Sequence, residues 1–358
     1  MSNKKLIILG IITVCMIAWA IVQAHISSRP KIEPEISSYL IQGLDPTNIN
    51  SIILGTGENE IILKRNGGQF VVTNKHNYPA EAREINNLIT SCLDIKTDEL
   101  YTDNPSNHKD LGVTEEDAKY IVKFLKPNSD LLAGVIVGKD KDQERGTFIR
   151  MIPGNKVYVT LERPWIRDQA MNYINRELVS VDRKDIESVT VNTSDETYTL
   201  KAEDDSDNII LENPPANKKL KENDYESVFT ALNNLRFDDV MKASTADEEL
   251  PFSRKFVCNL KDSMVYTLKI AQKDDKTYIT CQAEFKDKTP VTKEKGFIES
   301  EEELKKKEAK LLAKDKAKEF STKHKNWVYE ISEYYAKNLV KKLSELFEDE
   351  KKEETKNE

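Results

Sequence analysis

The amino-acid sequence predicts an α+β protein: an N-terminal transmembrane helix, then two repeated units, each an antiparallel β-sheet with a packed helix, and a C-terminal helix. Three observations carry this. The run from Leu6 to Ile26 has no charged residue other than a protonated His25, and about 20 such residues cross a bilayer. The segment beginning at Thr47 can be laid, element by element, on the segment beginning at Arg183. Large apolar residues recur at four-residue steps from Trp327 to Phe347.

Lys4 and Lys5 precede the apolar run and place the N-terminus in the cytoplasm, with everything after residue 26 outside; Arg29 and Lys31 weaken that asymmetry. A cleaved signal peptide with Ala18-Trp19-Ala20 as its small-x-small site is the rival reading, but the run continues past that site. Val14 is too large for the small residue expected before a lipidated Cys15. Residues 1–26 are therefore expected to be a cytoplasmic tip and membrane anchor, and 27–46 a juxtamembrane linker.

The first unit is expected over 47–161. Ile49, Ile52 and Leu54 match Ile186, Val189 and Val191 of a second unit over 182–290, and Ile61-Ile62-Leu63-Lys64 matches Tyr198-Thr199-Leu200-Lys201. Asn66-Gly67-Gly68 and the acidic stretch 204–208 fall at the same hairpin turn. Phe70-Val71-Val72 and Ile209-Ile210-Leu211 return. After Pro79 or Pro214-Pro215 a helix follows, with Ile85, Leu88, Ile89 and Leu93 in one copy and Tyr225, Val228, Phe229, Leu232 and Leu235 in the other. Thr114 to Asp117 before AKYIVKFL resembles a capping box, but its counterpart SRKFVCNL is rich in β-formers, so both are read as strands. LAGVIVGKDKDQERGTFIRMI and VYTLKIAQKDDKTYITCQAEF each read as strand, charged turn, strand. Between the units, 162–181 carries Pro164 at a helix start and is expected to be an inter-repeat helix.

Residues 291–348 are read as a charge-laced arm and then an amphipathic C-terminal helix, helical in pattern from about Glu299 to Phe347. Its stripe supplies the candidate partner-binding residues Trp327, Ile331, Tyr334, Tyr335 and Leu339. Docking onto the chain's own second unit, onto another protein, or onto a membrane surface are the three readings. The tail 349–358 is expected to be disordered.

Composition limits the chemistry. Of 358 residues 38% are hydrophobic and 32% charged, which suits two domains with modest cores. A formal net charge of -8, with lysines interleaved among Glu and Asp, argues against a nucleic-acid partner, because phosphate binding needs clustered cations. Cys92, Cys258 and Cys281 lack metal-binding spacing, and a Cys258 to Cys281 bridge stays open in an oxidising compartment. His25, His76, His108 and His324 are scattered singly, so no zinc site is expected. Gly55-x-Gly57 lacks the P-loop continuation, the 204–207 acidic run lacks the Gly and final Glu of a calcium loop, and no G-x-S-x-G elbow occurs. No catalytic, cofactor-binding or metal residue is assigned.

The anchor, the INSIIL...IILKRNGGQFVV hairpin, the GTFIRMIPGNKVYV strands, the NRELVSVDRKDIESVTV junction and the late WVYEISEYYAKNL segment together resemble the bacterial domain-of-unknown-function 4340 family over nearly the whole chain. Phe70 stands where a Trp is often expected, and the Lys/Glu-rich stretch after Phe297 is an elaboration. The resemblance implies a single-pass inner-membrane envelope protein with its C-terminal region extracytoplasmic, in many cases beside a gliding-type ABC transport system whose membrane subunits would be its partners. It supplies no catalytic residues. A non-enzymatic accessory role is the first expectation; an envelope-polymer hydrolase with a carboxylate cleft between the repeats, or a structural spacer, are the alternatives.

Overall fold

A computed structural model of the chain describes residues 16, 19, 38–141, 145–161, 164–203, 208–216, 218–246, 250–291 and 300–348. The expected bilayer helix, apart from positions 16 and 19, the acidic turn at 204–207 and the tail 349–358 lie outside them. Among the described residues no helix is long and apolar enough to cross a membrane.

The fold is α+β and mostly sheet. Its principal elements are β1 (Ser51–Leu54), β2 (Ile61–Asn66), β3 (Gln69–Val72), β4 (Tyr78–Pro79), α1 (Ala82–Leu93), β5 (Glu99–Thr102), β6 (Tyr120–Leu125), β7 (Leu131–Asp140), β8 (Thr147–Ile152) and β9 (Val157–Thr160). Then come β10 (Ile186–Asn192), β11 (Thr197–Ala202), β12 (Ile209–Leu211), α2 (Glu222–Phe229), β13 (Asp239–Lys242), β14 (Arg254–Leu260), β15 (Met264–Lys273), β16 (Lys276–Phe285), α3 (Glu301–His324), β17 (Trp327–Ile331) and α4 (Glu333–Leu339). The chain divides into two compact units, residues 1–49 with 88–166, and residues 50–87 with 167–358.

In the first unit the strand order is β6-β7-β8-β9-β5, with every neighbouring pair antiparallel. Burial of Ile121, Ile136, Phe148, Val157 and Val159 on the strands, with Leu111 and Val113 from the preceding loop, builds its core. That loop lies so close to β7 that the Lys139 N–H donates to the Leu111 carbonyl at 3.0 Å. A Cβ at position 138 would sit 2.5 Å from the Leu111 carbonyl oxygen, so the approach requires Gly138. Arg150 fixes the loop from the other side, its Nε donating to the Val113 carbonyl at 2.9 Å.

In the second unit β4-β3-β2-β1 form one antiparallel run, turned between β2 and β3 by Gly67 at φ +61°. The larger sheet runs β12-β11-β10-β14-β15-β16-β17-β13, again antiparallel throughout. Period-two alternation gives it one continuous apolar face. Leu200 pairs with Val189, Val189 with Cys258, Cys258 with Tyr266 and Tyr266 with Ala283, a buried row across five strands. A second row runs Tyr198, Val191, Phe256, Leu268, Cys281. Helix α2 packs on β10 and α3 on β15 and β16. On the other face Ala271 and Val328 are covered by Ala246 and Leu250. Cys258 and Cys281 are free thiols. Strand β15 stands between theirs, which separates them by about 9–10 Å, beyond the span of a disulfide.

Three expectations need correction. Residues 164–181 hold no α-helix: a 3-10 turn, Ala170–Tyr173, is followed by a short strand, Glu177–Val179. The buried Tyr173 explains it, because its hydroxyl donates to the Arg167 carbonyl at 2.9 Å and accepts the Arg167 N–H at 3.3 Å, closing the segment into a loop. Helix α2 stops at Phe229 instead of continuing through Leu235. Asn234 takes φ +54° and Leu235 enters a strand opposite Val179, so both late leucines are buried from turn and strand backbone. The C-terminal helical pattern is broken into α3, strand β17, the short helix α4 and a 3-10 turn, Leu343–Leu346. Positions i and i+4 share a face in a helix and also in a strand, so Trp327 and Ile331 satisfy both readings. Tyr329 between them settles for the strand by pairing with Val240 on one side and Ile279 on the other.

Candidate functional site

The five candidate residues occupy β17 and α4. The β-branched and aromatic run of β17 places Trp327, Tyr329 and Ile331 on one face. Trp327 is half-buried, its ring edge-on to Tyr78 at 4.8 Å, and Ile331 is buried. Ser332 precedes α4, whose spacing turns Ala336 and Leu339 inward and leaves Tyr334 73% exposed against the half-buried Tyr335, ring centroids 5.2 Å apart. The five therefore do not share one surface: Ile331 and Leu339 belong to the core, Trp327 and Tyr335 lie at its margin, and Tyr334 projects.

Beside α4 lies an open groove of about 550 Å³. Its far wall is the β15–β16 hairpin, where Asp274 at φ +50° and Asp275 at φ +60° form the two-residue turn that the right-handed twist of the strands favours. Glu333 and Lys337 face them across the groove and pair with each other at 2.9 Å along the helix. The lining thus carries both signs of charge around a short apolar floor of Ile331 and Ala336. A smaller depression of about 130 Å³ opens among Tyr78, Glu81, Asn175, Lys323 and Trp327. The first unit has a separate shallow groove of about 420 Å³, lined by Leu40, Ile41, Leu132 and Met151.

Beneath β17 sequence reasoning missed a buried polar pair. His324, the last residue of α3, has Nδ1 2.6 Å from the Tyr329 hydroxyl, and the Tyr329 ring is edge-on to that of Tyr78 with centroids 6.3 Å apart. Phe237 packs on both tyrosines at 5.9 and 4.8 Å, and Phe320 stacks on His324 at 4.4 Å. Burial, with a smaller push from Lys323, holds the His324 ring at about 3, so it is neutral. Burial likewise raises Tyr78 and Tyr329 above the ordinary phenol value. Both tyrosines are therefore un-ionised members of the core at neutral pH. Lys75, on the turn after β3, adds a charged tie to the same place, its Nζ 2.8 and 2.9 Å from the two carboxylate oxygens of Asp239 on β13. The contacts of Tyr78 and Phe237 with Tyr329, and of Lys75 with Asp239, join residues far apart in sequence, and only the aromatic character of Tyr78, Phe237 and Tyr329 hinted at them.

Burial pushes the thiols of Cys92 and Cys258 up to about 12, which makes them poor nucleophiles. Ser321 is committed to backbone, accepting the Ala283 N–H at 2.8 Å and donating to its carbonyl at 2.6 Å. His108 has Nε2 2.9 Å from the Asn155 carbonyl. Among the described residues no three His, Cys, Asp or Glu side chains gather to hold a metal ion.

A family model described as "Domain of unknown function (DUF4340)" matches residues 71–255. No curated protein and no solved structure matches the chain.

Proposed function

The chain belongs to the DUF4340 family, and on that footing we propose that it is a non-enzymatic accessory protein of the bacterial envelope, built from two copies of one sheet-plus-helix unit. It is anchored in the inner membrane by residues 6–26, with the body extracytoplasmic, and acts by binding protein as an auxiliary component of an ABC-type transport or envelope complex. The observation that carries the reading is the pairing of an uncharged Leu6–Ile26 run behind Lys4 and Lys5 with a body whose buried titratable groups serve packing. The His324–Tyr329 pair is enclosed by Phe237 and Phe320, and the groove beside α4 is open and of mixed charge. Duplication is supported by the order of elements: in each half a three-stranded meander, a helix, and a strand that returns to the far edge of a later meander.

Crosslinking in intact membranes followed by purification tests it. Recovery of membrane subunits of a transport complex, with residues after 26 open to protease only from the extracytoplasmic side, is the expected result. Recovery of the chain alone, or of the protein free in the cytosol, would end the proposal.

A further inference from the structure

Helix α3 has two faces, and the fold uses only one. Over its 24 residues, about 36 Å, Ala313, Ala317, Phe320 and His324 turn toward the sheet. Ala313, Ala317 and His324 are buried there, and Phe320 meets Tyr266 at 5.0 Å. Lys310 is held on the same side by Asp287 at 2.6 Å. On the opposite side Leu304, Leu311 and Leu312 are 52%, 47% and 63% exposed.

These leucines do not stand in random company. Glu301, Glu308 and Asp315 recur every seven residues, and Leu304, Leu311 and Lys318 follow each by three. Seven residues is nearly two turns, so the two columns lie side by side as one seam pointing away from the sheet. The acidic residues at 301, 308 and 315 are all exposed, and Glu301 makes a solvent-facing pair with Lys305 at 2.6 Å. Lys307 and Lys314 run along one flank.

We propose that this seam docks an amphipathic helix of a partner protein that carries Lys or Arg in the column facing Glu301, Glu308 and Asp315, and aliphatic residues in the column facing Leu304 and Leu311. Charge complementarity selects that occupant. A second copy packed in parallel would set acid against acid at all three positions of the acidic column, and an antiparallel copy would bury Glu308 and Asp315 against leucines with no cation. A basic seam column removes both penalties, and acidic residues on the partner's flank would meet Lys307 and Lys314. The inference rests on the binding reading above and gives it a surface, but it does not need the identity of the complex.

The test uses the full chain in detergent micelles and two labelled synthetic helical peptides, each about three heptads long. Both have leucine in one seam column; the other column is lysine in the first peptide and glutamate in the second. Fluorescence anisotropy should show the lysine peptide binding at least about tenfold tighter. Leu304→Ser with Leu311→Ser should abolish that binding, and Glu308→Lys with Asp315→Lys should reverse the preference. No binding of the lysine peptide, equal binding of the two, or indifference to the leucine substitutions would overturn the proposal. So would concentration-dependent self-association, or binding to anionic lipid vesicles, that the leucine substitutions remove. Failure here with successful co-purification from membranes would leave the accessory role standing on another surface.

Discussion

The links β8–β9 and β16–β17 occupy the same place in two sheets of like order, yet one spans residues 153–156 and the other 286–326. In both, the strand that follows pairs antiparallel with the one before it. A long insertion in a surface connection costs little closure entropy, growing only slowly with length, so the sheet tolerates it. What the long version adds is cover. Ser321 satisfies the N–H and carbonyl of Ala283 beyond the point where β17 pairs with β16, closing a stretch of edge that would otherwise be open to another strand. It also brings in His324, so the half with the inserted helix acquires a buried titratable group.

The largest effect should come from a position where the halves differ in backbone approach. Laying β7 on β15 puts Gly138 at the position of Ala271. At Gly138 a methyl group would collide with the Leu111 carbonyl, whereas the Ala271 methyl is packed against Val328 and Leu250. Gly138→Ala should cost about 2–3 kcal/mol in urea unfolding. Ala271→Gly should cost about 1 kcal/mol. Equal losses would mean that the loop at Leu111 moves aside, and that the first half is looser than its geometry suggests.

Acid should separate the halves next. The unfolded chain takes up a proton on His324 near 6.5, while the folded ring resists it down to about 3. Between those values the unfolded state binds more protons, so the stability present above pH 6.5 is lost as pH falls toward 3. At pH 5 the loss is about 2 kcal/mol. Unfolding followed by tryptophan fluorescence at pH 7 and pH 5 should show it, and His324→Phe should flatten that part of the profile. A wild-type difference that survives in His324→Phe would assign the acid sensitivity to carboxylates instead.

Much of the sheet was legible because strand periodicity is short and locally written. Ile61, Leu63, Val191, Phe256, Cys258 and Leu268 alternate with exposed or half-buried neighbours, and all are buried. Strand β17 was not, because Trp327 and Ile331 fit helix and strand alike, and the residues that decide between them, Val240 and Ile279, lie on other segments. The clue available was the repeat itself: β9, Val157–Thr160, follows β8 and has WVYEI as its displaced counterpart. The segment 164–181 failed for a different reason, since the hydroxyl of one buried residue, Tyr173, outweighs a helix-compatible pattern. Of the candidate site, Ile331 and Leu339 carry the stripe that reads as a binding face but lies in the core, while the exposed leucines of α3 sit among so many charges that they read as solvated arm.

A smaller effect should mark the charged tie in the second unit. Lys75 and Asp239 approach in bidentate geometry, but their side chains keep 23% and 42% of their exposure, so solvent screens most of the attraction. A double-mutant cycle with Lys75→Ala and Asp239→Ala should return a coupling of about 0.5–1 kcal/mol, shrinking in high salt. Coupling near zero would leave the Tyr78 contacts with Phe237, Trp327 and Tyr329 as the attachment of the β1–β4 run to the larger sheet.

The smallest change per site is expected where the inserted helix faces away from the fold. Leu304, Leu311 and Leu312 are 52%, 47% and 63% exposed, so replacing all three with serine removes little packing. Leucine and serine differ modestly in helix propensity, and the capping box of Ser300 with Glu303 keeps the first turn formed. Thermal unfolding of the triple variant should therefore shift by no more than about 0.5 kcal/mol for each site. A larger loss would show that the leucines already pack against the chain itself, and would remove the surface that a basic partner helix needs. An unchanged stability joined to lost peptide binding would show that this face of the insertion was kept for recognition, while the alanine face holds the sheet.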